Sequence, residues 1–99
     1  MITIDTDLKT DIQIKGHAGY APAGFDIVCA AVSVLYETLK SLLKEKAAVQ
    51  EEDGLARLIL DADQIGKQEE DYLNFFLSGI QGIEKTYPQH VQLMIGRAN

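Results

Sequence analysis

The 99-residue chain has one cysteine and no tryptophan. A single cysteine cannot close an intrachain disulfide, so a disulfide scaffold is excluded. Basic residues are also scarce: nine Lys and Arg stand against fifteen Asp and Glu, a net charge of −6. No run of five basic residues occurs, so the electrostatic footprint of a nucleic-acid binder is missing and no direct nucleic-acid contact is expected. No apolar run approaches the ~20 residues of a membrane span, and no membrane association is expected. A charged segment followed by an apolar one is absent from the first residues, which argues against a secretory signal. These absences together point to a cytoplasmic protein.

What is present suits one globular domain spanning 1–99. Apolar residues make up 46% of the chain and charged residues 24%, enough for one core. A chain of this length buries roughly 60–70% of its unfolded surface. That leaves a narrow margin, which a dimer interface would widen. The acids gather at Glu51-Glu52-Asp53 and Glu69-Glu70-Asp71, and an acidic surface favours basic protein partners.

The apolar spacing defines the elements. Ile2 and Ile4 alternate with polar neighbours, as do Ile12 and Ile14, and turn-forming residues lie between, so a hairpin is expected that ends at Gly16-His17. A loop follows, with Gly19, Pro22 and Gly24 close together, and mobility is expected of it. Asp26 is a good N-cap for a helix from Ile27 to about Lys46, with Val28, Val32, Leu35, Leu39 and Leu42 or Leu43 as the buried stripe. Ala47–Gln50 and Leu55–Leu60 read as strands joined at Asp53-Gly54, a tight-turn signal. The acids of that turn read as a solvated turn, not a metal site. A second helix is expected from Lys67 to Tyr87, stopped by Pro88, with Tyr72, Phe76, Ile80, Ile83 and Tyr87 on one face and Leu73 and Leu77 widening it. Gly79 and Gly82 weaken its second half. Val91, Leu93 and Ile95 alternate as a last strand. The order ββαββαβ predicts an α+β fold, a mostly antiparallel sheet with two helices packed on it.

The chemistry-bearing stretch runs from Gly16-His17 to Ser33. With Asp26 as N-cap, Cys29 is the third helical residue, where free amides and the helix dipole favour thiolate over thiol. The same amides could hold the oxyanion of an attacked carbonyl. His17, twelve positions earlier, could take the thiol proton and return it to a leaving amine. Asp26 would cap the amides of Val28 or Cys29, although its charge also opposes a nearby thiolate. Ser33, one turn beyond Cys29, could bond towards the site or back to the Cys29 carbonyl. Against this stands a plainer reading, because a lone free cysteine beside Val28 and Val32 is more often a small core residue. His90, before the last strand, reads as an ordinary loop histidine. A metal site from His17, Asp26, Cys29 and His90 lacks paired-ligand spacing and is not expected; no cofactor is expected either.

The pattern Gly16-His17-Ala18, a short Gly-rich loop, then Gly24-x-Asp26-Ile27-Val28-Cys29-Ala30-Ala31-x-Ser33 resembles the bacterial ribosomal-processing cysteine protease family. The resemblance extends over the whole chain in length and element order, and its specific part is residues 16–33. It implies a catalytic dyad of His17 and Cys29, supported by Asp26 and Ser33, with Gly16 and Gly24 bracketing a loop that moves over substrate. It further implies a substrate: a precursor of large-subunit ribosomal protein twenty-seven, from which a short N-terminal extension is removed. A homodimer is also implied. The alternative from another class is a non-catalytic ribosome-assembly or peptide-binding module that holds a basic tail without cutting it.

Overall fold

The structure is a computed structural model that describes residues 1–22 and 25–96. Its elements are β1 (Ile2–Thr6), β2 (Asp11–Lys15), α1 (Ile27–Leu43), β3 (Ala47–Glu52), β4 (Leu55–Leu60), α2 (Lys67–Thr86) and β5 (Val91–Ile95). The expected order ββαββαβ and α+β class are observed. The five strands lie in the order β3-β4-β2-β1-β5. Three pairings are antiparallel, and β5 runs parallel to β1. That parallel pair is what α2 makes possible, since parallel neighbours need a crossover rather than a tight turn.

One face of the sheet carries the core. Ile2, Ile4, Ile12, Leu58, Leu60 and Val91 point into it and meet the buried stripes of both helices. On α1 the stripe is Val28, Val32, Tyr36, Leu39 and Leu43. Tyr36 therefore takes a core place that apolar spacing did not assign, while Leu42 is exposed. An aromatic ring can be buried there because its hydroxyl donates to Glu51 Oε2 at 2.6 Å. Burial first, and Glu51 second, hold that phenol above its ordinary pKa.

The boundaries differ from expectation in two places. The first helix stops at Leu43, because Lys44 turns to a positive φ of 53° and a 3-10 turn, Lys44–Lys46, leads into β3. The third strand runs on to Glu52, so β3 and β4 are joined by Asp53-Gly54 alone, with Gly54 at φ 75°. On α2, Gly79 does not break the helix but allows its contact with α1: a Cβ there would lie 2.8 Å from Leu35 Cδ1. Of the apolar face expected for α2, Leu73, Phe76, Leu77 and Ile80 are buried, and Tyr72, Ile83 and Tyr87 are partly buried against the core.

Candidate active site

The site lies where the end of β2, the loop after it and the start of α1 converge beside the β3–β4 turn. Asp26 is extended (φ −85°, ψ 102°), as an N-cap should be. Its Oδ1 accepts from the amides of Val28 (3.0 Å) and Cys29 (2.9 Å). Its Oδ2 accepts from Tyr20 N (3.0 Å) and Ala21 N (3.4 Å), so one carboxylate ties the loop to the helix start. The Cys29 amide is the main reason this carboxyl is held below its ordinary pKa, with the Tyr20 and Ala21 amides adding to it.

This arrangement corrects one expectation. The first-turn amides of Val28 and Cys29 are not free to serve the sulfur, because Asp26 already takes both. The donor that reaches Cys29 comes from the loop: Ala18 N donates to Cys29 Sγ at 3.3 Å. Ala18 itself is buried at 2% exposure, whereas Cys29 is half-buried with its sulfur on the cleft wall.

Cys29, His17, Asp26 and Ser33 line one cleft of about 540 Å³ with Gly19, Ala21 and Ala30. An adjoining cavity of about 230 Å³ continues past Cys29 and His17 towards Gly16, Glu52, Gly54 and Leu55. Both are lined by His17, Cys29 and Ser33, and the larger is in the size range of ligand sites. A separate cavity beside Leu8, Lys9, Ile65, Glu70 and Leu73 is lined by no cysteine, serine or histidine.

The structure brings the expected site residues to one cleft without joining them all. Among the described residues no hydrogen bond links His17 to Cys29. The His17 side chain is 72% exposed and its Nε2 lies 3.8 Å from Asp53 Oδ1. Ser33 is exposed on the cleft wall, and its hydroxyl makes none of the hydrogen bonds found among the described residues. Gly16 is fixed for reasons of space: its φ is 84°, its amide donates to Gly54 O at 2.9 Å, and a Cβ would lie 2.5 Å from Met1 O. Gly24 lies outside the described residues. No three His, Cys, Asp or Glu side chains converge as a metal-ligating group among the described residues.

The loop is also less free than its composition implies. His90 Nδ1 lies 2.9 Å from Ala18 O. The Tyr20 ring makes edge contacts with Tyr87 (centroids 5.5 Å apart) and His90 (5.3 Å). Sequence reasoning gave Ala18 no role of its own and read His90 as an ordinary loop histidine. They are 72 residues apart, and no spacing rule links a loop alanine to a histidine before the last strand.

A cysteine in the first turn of a capped helix, opening on a cleft with a histidine on its wall, has the parts of a thiol-dependent hydrolase. A family model described as cysteine protease Prp matches residues 1–92, and the chain belongs to that family of cysteine proteases. It is 28% identical over 103 aligned positions to the ribosomal processing cysteine protease Prp of Staphylococcus aureus (strain NCTC 8325 / PS 47), covering 94% of this chain and 97% of that protein. Its fold is similar to that of the S. aureus essential ribosomal processing protease Prp in complex with a covalently linked product peptide. There the TM-score is 0.86 at 25% identity, covering 96% of this chain and 99% of the other. The same S. aureus protease in complex with a substrate peptide gives a TM-score of 0.78 over the same shares, also at 25% identity. SMU.848 from Streptococcus mutans gives 0.68 at 28% identity, covering 95% of this chain and 90% of the other.

Proposed function

We propose that this protein is a cytoplasmic cysteine endopeptidase that removes the N-terminal extension from the precursor of large-subunit ribosomal protein twenty-seven during ribosome maturation. The observation that carries the reading is Cys29, the chain's single thiol, at the wall of a cleft it shares with His17, with a backbone N–H already on its sulfur. The likeness to S. aureus structures with substrate and product peptides supports a peptide as the occupant of that cleft. The net charge of −6 suits a basic ribosomal substrate.

In this mechanism neutral His17 takes the Cys29 proton, and the thiolate attacks the scissile carbonyl. The tetrahedral intermediate collapses to a thioester while the imidazolium gives its proton to the leaving amine. Water, deprotonated by His17, then releases the new carboxylate and restores the thiol. Asp26 holds the helix start and the loop in register, and Ser33 offers a hydroxyl on the same wall. Because Asp26 occupies the Val28 and Cys29 amides, Ala18 N–H is the backbone donor at the Cys29 sulfur, where it favours the thiolate. His17 must leave Asp53 and turn to Cys29, so the dyad is completed by substrate, with the backbone between Gly16 and Gly24 taking up the change. The active species is a homodimer, whose interface supplements a small core.

Incubating the protein with the precursor and measuring intact masses tests the reading. Loss of a discrete N-terminal segment is expected. An uncut precursor held in a stoichiometric complex would replace the protease by a binding module.

A further inference from the structure

The connection between α2 and β5 reaches the nucleophile. Tyr87 ends α2, and its carbonyl accepts from His90 N (2.9 Å) and Val91 N (3.1 Å), which makes the Tyr87–His90 turn a closed unit. The His90 carbonyl accepts from Ile2 N at 2.8 Å, so the turn is also anchored to β1. From that rigid base His90 Nδ1 reaches Ala18 O, and Tyr87 and His90 both pack against the Tyr20 ring. Ala18 is thus held on two sides: its carbonyl by His90 and its amide by Cys29 Sγ.

We propose that His90 is a positioning residue for the reaction, which fixes Ala18 so that its N–H points at the Cys29 sulfur. The inference rests on Cys29 being the nucleophile, as proposed above. The ring does not touch the reacting atoms and acts through the loop backbone. Ala18 O is a pure acceptor, so His90 serves in the tautomer that carries hydrogen on Nδ1. The amide that is held in place gains strength as the thiol becomes a thiolate, since a hydrogen bond to an ionised acceptor is the stronger kind. Tyr20 holds the same segment to the turn through its ring contacts with Tyr87 and His90. The charged or titratable groups that share the cleft with the sulfur are Asp26 from the helix cap, His17 from the loop and Glu52 from β3. The His90 ring makes its hydrogen bond to Ala18 and its ring contact to Tyr20, not to these groups.

The test uses the single thiol, so iodoacetamide modification reports Cys29 alone and needs no peptide substrate. The rate of modification against pH should show its midpoint moved upward by about half a pH unit in His90→Ala. Peptide cleavage should fall about tenfold, as expected for one hydrogen bond, with the loss in kcat rather than KM. His90→Asn, whose amide can donate where Nδ1–H did, should restore most of both, and His90→Gln should not. Tyr20→Ala removes an exposed ring and should shift the midpoint in the same direction by less; it carries the test if His90→Ala lowers the folded fraction. A modification profile for His90→Ala that overlays the parent's, or His90→Asn no better than His90→Ala, would overturn the proposal. Loss of cleavage without any change in the modification profile would also overturn it. Cleavage that survives in Cys29→Ala would instead remove the underlying reading.

Discussion

Cys29 and His17 stand on the same cleft and are constrained very differently. The cysteine is held by a capped helix, a buried α1 stripe and a loop amide on its sulfur. The histidine lies largely in solvent, with one long contact to a fully exposed carboxylate. In the dyad proposed above, the difference means that the cysteine is placed by the fold while the histidine has to turn before it can act. A thiolate site costs little to preform when backbone donors are available. A base that must first face the thiol and then the leaving amine gains from freedom to turn.

His17→Ala gives the largest effect on this contrast. Peptide cleavage should fall by about 10²–10⁴-fold, the usual worth of a general acid–base group, with the melting temperature unchanged because the side chain is 72% exposed. A melting temperature that drops by several degrees would mean the histidine is as structural as the cysteine's surroundings. Asp26→Ala should come next. It removes four backbone contacts at once, so melting falls by several degrees, and cleavage falls with it as the loop and helix start lose register. Activity lost without any loss of stability would place Asp26 at the chemistry and not at the cap.

Acid probes this cap together with other hydrogen-bonded carboxylates. Asp26 is held below its ordinary pKa, mainly by the Cys29 amide. A carboxyl with a depressed folded value gives stability that is complete above the unfolded value and lost as pH falls through the folded one. Asp7 behaves in the same way at the far end of the molecule. Burial opposes its ionisation, but bonds from the Thr10 hydroxyl and the amides of Lys9, Thr10 and Asp11 outweigh burial and bring it to about 2 from 3.8. Stability should therefore decline between the ordinary carboxylate range and pH about 2. Asp7→Ala should remove part of that decline and leave iodoacetamide modification of Cys29 untouched; a change in modification would show that the two ends are coupled. The smallest effect is expected from Asp53→Ala, which should alter cleavage by less than about twofold, as for exposed ion pairs. A larger gain would mean that Asp53 restrains the resting His17, and a larger loss that it orients the ring for reaction.

Much of this was legible in the sequence. The element order follows from apolar spacing. Ile2 and Ile4, Ile12 and Ile14, and the paired stripes of the two helices face the core as their periodicity requires. Asp26 was legible as a cap because capping is local. Tyr36 was not, because its burial depends on Glu51 reaching it across the fold. The end of α1 was missed because nothing in Lys44-Glu45-Lys46 opposes helix; the turn into the sheet breaks it. At the site, position could be read but state could not. The sequence puts Cys29 in a first helical turn and Asp26 on the amides there, yet it does not reveal that Ala18 supplies the donor to the sulfur. Neither could it reveal that a loop rich in glycine is latched by Tyr87 and His90, since those contacts exist only once α2 and β5 have packed.

The most direct test of Cys29 as nucleophile is cleavage of the ribosomal precursor by Cys29→Ala, with folding verified by circular dichroism. A folded protein that leaves the precursor at full mass is the predicted result. Undiminished release of the N-terminal segment by that variant would contradict it.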